Sequence, residues 1–197
     1  MTRKRARKPA AKTPPSLPDL LREGLDLVFV GINPSLYSTE KGHYFARPAN
    51  RFWPAFSRSG LSASARAGLG IERLLPEHDA RLMAYGIGFT DLVKRPSARA
   101  AELSRAELEA GADDLKQKLA RFSPRVACFH GLTAYRPIDR ILAPGAADPR
   151  LGLQDLHIGA TSIFVVPNPS PANAHFTPAD QTLWYDRLVE ALKKLPR

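Results

Sequence analysis

Short apolar runs that end at turn residues recur along the chain. The first, residues 25–30 (LDLVFV), consists mainly of strand-forming residues and stops at Gly31. Runs at 126–129 and 162–166 have the same character, and a fourth, 82–87, is interrupted by a glycine. A short apolar run bounded by a turn signal is typical of a strand buried in a parallel sheet. The sequence therefore predicts four strands.

Two segments have the pattern of amphipathic helices. Ser104 and Glu107 form a capping box, and Thr177 followed by Pro178 is a typical helix start. Apolar residues then recur at helical spacing: Leu108, Ala112, Leu115, Leu119 and Phe122 in the first segment, and Trp184, Leu188, Ala191, Leu192 and Leu195 in the second. Strands that alternate with helices predict an α/β fold with a parallel sheet covered on both faces.

Length and composition indicate one globular domain. The chain has 197 residues, 44% of them hydrophobic, which is enough for a single compact core. Its only cysteine, Cys128, excludes a disulfide framework and a thiolate metal cluster, and it fits a reducing compartment. No apolar run approaches the roughly 20 residues that span a bilayer, and no signal peptide is recognisable. We therefore expect a soluble protein that is not exported.

Positive charge is concentrated at the N-terminus. The net charge is +10, and six basic residues but no acidic one lie within residues 1–17. The prolines and alanines around them cannot form a core, so we predict a disordered basic tail over residues 1–17 and a folded domain over 18–197. Such a tail is either a nonspecific grip on nucleic-acid phosphates or a solubilising extension or localisation signal. The overall charge favours an anionic partner.

Three segments follow the predicted strands, where ligands of parallel sheets bind. They are residues 31–53, 88–97 and 167–176. The first contains GINPS (31–35) and FARPANRFW (45–53), the second GFTDLV (88–93) and the third NPS (168–170). In their order and spacing, these motifs resemble the signature of the mismatch-specific uracil-DNA glycosylase and thymine-DNA glycosylase family.

The resemblance implies a fold, a reaction and a partner. The fold is a three-layer α/β/α sandwich around a short parallel sheet. The reaction is the removal of uracil from DNA, notably from G:U mismatches, which leaves an abasic site. The enzyme would be a monofunctional, monomeric hydrolase that needs no metal or other cofactor and acts on duplex or single-stranded DNA. Its expected location is the cytoplasm, on nucleoid DNA, in a bacterium and the nucleus in a eukaryote.

Two residues are candidates for the catalytic chemistry. Cleavage of an N-glycosidic bond needs a water aimed at the anomeric carbon and donors on the departing base. Asn33 offers an amide oxygen that can orient a water, although Asn-Pro is also typical of a plain turn. Asp91 stands where other family members carry Lys or Asn, and a carboxylate there can polarise water or stabilise positive charge on the sugar. Its alternative roles are a helix cap or a partner for Lys94.

The base pocket is assigned to six residues. Phe45 is the candidate platform on which an extruded base stacks, with core packing as the alternative. Asn168 can donate to a base carbonyl, and Ser35 is small enough to admit 5-substituted uracils and other modified pyrimidines. The remaining pocket residues are Gly31, Ile32 and Tyr44.

Contacts with DNA are expected from the NPS loop and from nearby basic residues. Ser170 would grip a phosphate together with neighbouring N–H groups. Where the family commonly offers Leu or Arg as a wedge, this chain has Pro171, Ala172 and Asn173, so we expect loose recognition of the opposing base. The residues assigned to phosphates, with solvated charge as the alternative, are Arg47, Arg51 and Lys94.

Two other functions are compatible with the sequence. One is a catalytically silent module of the same fold that binds DNA lesions, which would require Asn33 to be turned away from the pocket. The other is a hydrolase of small nucleosides or a nucleotide-binding enzyme. The sequence has neither a Gly-rich phosphate loop nor an acidic metal cluster to support the latter.

Overall fold

A mainly parallel sheet of five strands forms the centre of the computed structural model, which describes residues 16–145 and 148–196. The strands are β1 (Leu27–Gly31), β2 (Ile87–Asp91), β3 (Val126–His130), β4 (Gly152–Ile158) and β5 (Thr161–Val166), in the spatial order β2-β1-β3-β5-β4. Neighbours are parallel except β4, which runs antiparallel to β5. Because the chain pairs β2 on one side of β1 and β3 on the other, a crevice opens at the carboxyl end of β1.

Six α-helices surround the sheet in the part of the chain that the structure describes. They are α1 (Leu36–Lys41), α2 (Phe52–Arg58), α3 (Ala63–Leu69), α4 (Arg105–Phe122), α5 (Leu132–Leu142) and α6 (Pro178–Lys194). Short 3-10 helices span Gly60–Ser62, Pro76–Tyr85 and Ala100–Glu102. Ser104 and Thr177 cap α4 and α6 through complete capping boxes, as predicted. Within residues 16–145 and 148–196, no helix is long and apolar enough to cross a membrane.

Alternate strand positions build two cores, one on each face of the sheet. On one face, aromatic and aliphatic side chains of α2 and α6 pack over Phe29 and Phe89. On the other, α4 and α5 cover Val28 and Val30. Burial of these apolar side chains is the main favourable term in folding. The structure thus confirms the three-layer α/β/α sandwich.

The fourth predicted strand, residues 82–87, is wrong in position. Leu82 is buried, but it belongs to the 3-10 helix that ends at Tyr85. Gly86 then adopts a left-handed conformation, with φ of 77°, and β2 begins at Ile87. The glycine therefore separates a helix from a strand. As a result, β2 itself contains the first four residues of the GFTDLV motif.

Strand β4 is not among the strands that the sequence predicts. Its residues, GLQDLHI, mix exposed and buried positions, because β4 lies at the edge of the sheet. Such a strand has no continuous apolar run, which was the feature that marks the other strands.

Residues 16–20 lie along the outer edge of β2. Leu20 exchanges two backbone hydrogen bonds with Phe89, of 2.9 and 3.1 Å, and this pairing protects the exposed strand edge. Leu17 is only 3% exposed and packs in the core. The predicted boundary after residue 17 is therefore too late, because Leu17 belongs to the folded domain. Residues 1–15, the rest of the predicted tail, lie outside the described residues.

Replacement of Leu17 tests this boundary. We expect Leu17→Ala to lower the free energy of unfolding by about 2 kcal/mol, as the loss of buried leucine atoms leaves a cavity. Leu183→Ala is the matched control, because Leu183 is 49% exposed, and it should change stability by less than about 0.5 kcal/mol. Urea denaturation measures both values. If Leu17→Ala is as stable as the parent chain, Leu17 does not contribute to the core, and the predicted boundary after residue 17 stands.

Candidate active site

The segments that follow β1 and β2 remain paired beyond the strands. The N–H of Leu92 donates to the carbonyl of Gly31 at 2.8 Å, and the N–H of Ser97 donates to the carbonyl of Pro34 at 3.2 Å. The GINPS and GFTDLV motifs are therefore held side by side at the carboxyl ends of the strands, as predicted.

The side-chain amide of Asn33 has a fixed orientation. Its Nδ2 donates to the carbonyls of Arg95 at 3.0 Å and Pro34 at 3.3 Å, and to Ser97 Oγ at 2.8 Å. Because a carbonyl only accepts hydrogen bonds, the atom facing these groups must be the nitrogen. The Asn33 oxygen has no hydrogen-bond partner among the described residues. Asn33 thus presents an acceptor, which is the group that can orient a water.

Asn168, directly after β5, has the opposite orientation. Its Oδ1 accepts the N–H of Ser170 at 2.9 Å, so the amide nitrogen points elsewhere. This nitrogen makes no hydrogen bond within residues 16–145 and 148–196. Asn168 therefore presents a donor, as expected for a group that contacts a base carbonyl.

Asp91 ends β2 opposite Gly31 and is only 4% exposed. A Cβ at position 31 would lie 2.6 Å from Asp91 Oδ1, so the glycine makes room for the carboxylate. Asp91 Oδ2 is buried without a hydrogen bond from the described residues, and Lys94 Nζ lies 3.6 Å away. Burial raises the pKa of Asp91 to about 7, although the positive charge of Lys94 opposes this rise. Asp91 therefore changes charge near neutral pH.

Lys94, which was assigned to DNA phosphates, points towards polar groups of the protein itself. Its Nζ donates to Asp19 Oδ1 at 2.8 Å and to Tyr44 Oη at 3.2 Å. Asp91 ends β2 and also lies beside Lys94, 3.6 Å from its Nζ, so its alternative role as a partner for Lys94 is seen as well. Asp19 is a polar neighbour that sequence reasoning missed, because it lies outside all three motifs.

Phe45 has an uncommon backbone conformation for an aromatic residue, with φ of 53°. One face of its ring stacks on Phe52 at a centroid distance of 4.4 Å, and His130 contacts it edge-on at 4.9 Å. The side chain is half-buried. Strained conformations of this kind concentrate at functional sites. Phe45 thus packs on the core, which was its alternative role, and remains partly accessible, so its role as a platform for a base stays a prediction.

Side chains on both sides of Phe45 hold its backbone in place. Asp79 Oδ2 accepts the N–H of Tyr44 at 2.9 Å, and Trp53 Nε1 donates to the Tyr44 carbonyl at 2.9 Å. Ser38 Oγ accepts the N–H of the residue after Phe45 at 3.2 Å. Asp79 was missing from the sequence-based site because it comes from a distant 3-10 helix without a motif.

Three of the predicted pocket residues have structural roles. The Tyr44 ring is 3% exposed and stacks on Phe89, so it lies in the core and does not line an open pocket. Ile32 packs with the hydrophobic cluster under α4 and α5, away from the Phe45 face. Ser35 Oγ caps α1 by accepting the N–H of Ser38 at 3.0 Å.

The loop after Asn168 is partly fastened to the domain. Pro171 and Ala172 are exposed at its tip, and Ser170 Oγ accepts the N–H of Ala172 at 3.3 Å. Asn173 Nδ2 donates to the carbonyl of Asn168 at 3.0 Å, so this side chain stabilises the loop and is not free for DNA.

Arg51, which was also assigned to phosphates, is hydrogen-bonded within the protein. Its Nη1 donates to the carbonyl of Asn173 at 3.0 Å and to that of Phe176, and its N–H donates to the Pro169 carbonyl at 3.0 Å. The guanidinium therefore clamps the loop. Arg47, by contrast, is exposed and forms no ion pair with the described residues.

His130 lies at the end of β3, beneath Phe45. Burial lowers the pKa of His130 to about 3, so the ring is neutral, and its Nε2 lies 3.0 Å from Tyr185 Oη. It is a core residue. Among the residues that the structure describes, no three His, Cys, Asp or Glu side chains come together as a metal site.

The raised pKa of Asp91 predicts a pH-dependent cost to stability. The folded state holds a proton that the unfolded state releases above about pH 4, so stability falls as pH rises from about 4 to about 7. Asp91→Asn removes this cost and should be more stable above pH 7, by about 4 kcal/mol at most. Urea denaturation at several pH values measures the difference. A difference that stays constant between pH 4 and pH 8 would contradict the raised pKa.

Comparison with known proteins gives the chain a family. The profile of the Uracil DNA glycosylase superfamily matches residues 18–193. The solution NMR structure of a proposed uracil DNA glycosylase from Methanosarcina acetivorans is similar, with a TM-score of 0.57 and 21% sequence identity. The match covers 91% of this chain and 98% of that one, and at this identity it concerns the fold. The chain belongs to the uracil DNA glycosylase superfamily.

Proposed function

We propose that this chain is a monofunctional DNA N-glycosylase of the mismatch-specific uracil and thymine type, which removes uracil from DNA, notably opposite guanine. The observation that carries the proposal is the opposite orientation of two amides at the ends of the strands. Asn33 offers an oxygen and Asn168 a nitrogen. Hydrolysis of a pyrimidine nucleotide needs both, an acceptor for the water and a donor for the base. Superfamily membership supports DNA as the substrate.

The proposed reaction begins with a base extruded from the DNA stack. The base lies against Phe45, and Asn168 Nδ2 donates to one of its carbonyls. Asn33 Oδ1 orients a water towards the anomeric carbon, and the Asp91 carboxylate accepts a proton from that water. The water oxygen bonds to the anomeric carbon while the N-glycosidic bond breaks, and the electron pair of that bond leaves with the base as an anion. The base anion takes up a proton from solvent, and Asp91 releases its proton to solvent. The products are the free base and an abasic site.

Asn33 and Asp91 contribute differently to this reaction. A neutral amide is a weak base, so Asn33 acts by positioning. A carboxylate with a pKa of about 7, raised by burial, is a stronger base than an ordinary Asp and is still ionised in much of the population at neutral pH. The free Oδ2 supports this role, because it has no hydrogen bond from the described residues.

The proposed range of substrates follows from two small residues. Ser35 is small and its hydroxyl is engaged in capping α1, so we expect it to leave the 5-position of a pyrimidine open and some 5-substituted uracils to be accepted. Ala172 is exposed at the loop tip but too short to fill the gap left by an extruded base. Recognition of the opposing base is therefore loose. Arg47 and Ser170 remain the proposed phosphate contacts.

An assay of base release tests the function. Purified full-length protein is incubated with labelled oligonucleotides that carry uracil opposite guanine, opposite adenine or in a single strand, with cytosine in place of uracil as the control. We expect strand breaks in all three uracil substrates, and only after alkali, because the Lys94 ammonium is paired with Asp19 and is not a free nucleophile. Binding without breaks would favour the silent module, and an adduct trapped by borohydride would contradict a monofunctional enzyme.

Variants of the two water-handling residues test the mechanism. Asn33→Ala and Asp91→Ala should each lower the single-turnover rate by about 100-fold, and the double variant should be nearly inactive but folded. The parent rate should rise with pH to a plateau above about 7, as the buried Asp91 ionises. Asp114→Asn, an exposed control on α4, should behave as the parent does. If Asp91→Ala is fully active on every substrate, Asn33 alone positions the water.

A further inference from the structure

We propose that Asp19 is a positioning residue for Asp91, and that it acts through Lys94. The inference rests on the proposed role of Asp91. It concerns a side chain outside the three motifs, which reaches the site from the segment that covers the edge of β2. Asp19 touches neither the proposed base pocket nor the reacting atoms, so its effect must pass through its neighbours.

The backbone around Asp19 is fixed by contacts on both sides. Leu20 pairs with Phe89 of β2, and Ser16 Oγ donates to the carbonyl of Lys94. Tyr44 Oη donates to the carbonyl of Pro18 at 3.0 Å. The Asp19 carboxylate is therefore held beside the β2 edge and cannot swing into solvent without breaking this docking.

The carboxylate of Asp19 gathers three donors. Lys94 Nζ lies 2.8 Å from Oδ1, Thr90 Oγ1 donates to the same oxygen at 2.7 Å, and Lys118 Nζ lies 3.0 Å from Oδ2. Burial alone would raise the pKa of Asp19, but the hydrogen bonds from Lys94 and Thr90 outweigh it and lower the pKa. Asp19 is thus ionised across the range in which Asp91 titrates.

Charged and titratable groups from four segments act on Asp91. Lys94 comes from the same loop, Lys118 from α4, Asp19 from the segment along the edge of β2, and Tyr44 from the segment before α2. Lys94 lies nearer to Asp19 than to Asp91, at 2.8 Å against 3.6 Å. Asp19 therefore takes the closest contact of Lys94 and leaves Asp91 Oδ2 without a hydrogen bond.

This sharing determines how basic Asp91 is. With Asp19 charged, Lys94 offsets only part of the desolvation cost of the Asp91 carboxylate, because it does not form a hydrogen bond with it. If Asp19 were neutral, Lys94 would turn to Asp91 as its remaining carboxylate, and Asp91 would ionise at a lower pH. It would then be a weaker base for the water. If Asp19 had only a structural role, its replacement would change the stability of the fold but not the pH dependence of the reaction rate.

The test is the single-turnover rate on a uracil oligonucleotide, measured from about pH 5 to about pH 9. The parent midpoint is expected near 7. Asp19→Asn, which keeps the shape and one acceptor oxygen, should move the midpoint down by about one unit. Lys94→Met should move it up by a similar amount, because the positive charge is lost. Asp114→Asn removes another carboxylate that binds Lys118, at 2.7 Å, and should leave the midpoint unchanged.

Double variants distinguish an effect of Asp19 that passes through Lys94 from the direct electrostatic effect of the Asp19 charge on Asp91. In the Lys94→Met background, Asp19→Asn should shift the midpoint clearly less than it does in the parent. An equal shift in both backgrounds would overturn the role of Lys94. An unchanged midpoint in Asp19→Asn, with a normal shift in Lys94→Met, would make Asp19 merely structural. If Asp91→Asn keeps the parent pH profile, the proposed role of Asp91 fails instead.

A measurement on the unmodified protein covers the case in which Asp19→Asn does not fold. Carbon-13 NMR of the side-chain carboxyl groups follows Asp19, Asp91 and Asp114 during a pH titration without DNA. Because Asp19 and Asp91 share Lys94, the Asp19 signal should show an inflection at the midpoint of Asp91, whereas the Asp114 signal should not. Absence of that inflection would overturn the proposal whether or not the protein is a glycosylase.

Discussion

The parallel pairing of β1 with β2 determines where Asn33 and Asp91 lie. The hydrogen bonds between these strands continue into the loops, from Gly31 and Leu92 to Pro34 and Ser97. This pairing brings Asn33 and Asp91 together without any direct bond between them. It also explains why position 31 has no side chain, since a Cβ there would meet the Asp91 carboxylate. Local backbone geometry thus makes space for a buried acid.

A buried acid is costly, and the surrounding residues reduce that cost only in part. Lys94 lies too far from Asp91 for a hydrogen bond, while Asp19 takes the close contact. If a cation fully neutralised the Asp91 carboxylate, Asp91 would be stably ionised but a weak proton acceptor. If no cation lay near it, Asp91 would stay protonated at neutral pH. The observed arrangement lies between these limits. Such a balance is typical of sites in which stability is exchanged for reactivity.

The sequence predicted those parts of the site that depend on the backbone. Asn33, Asp91 and Asn168 follow or end strands, and parallel strands bring their carboxyl ends together, so their proximity could be foreseen. The direction of side chains could not be predicted. Arg51 and Lys94 were assigned to DNA because a sequence shows a charge but not what it faces. Asp19 and Asp79 were missed for a related reason, since only tertiary contacts bring these two acids to the motifs.

The clamp formed by Arg51 has a consequence for how DNA is searched. Arg51 binds carbonyls at both ends of the loop after Asn168, and its own backbone continues into α2. Through this one guanidinium, the loop after Asn168 and the start of α2, which follows the Phe45 segment, are held together. Under the proposed function, a loop fastened in this way would leave the deformation to the duplex. A base in a weak or mismatched pair loses less stacking and pairing energy when it leaves the duplex, so the proposed preference for such bases would follow from the duplex itself.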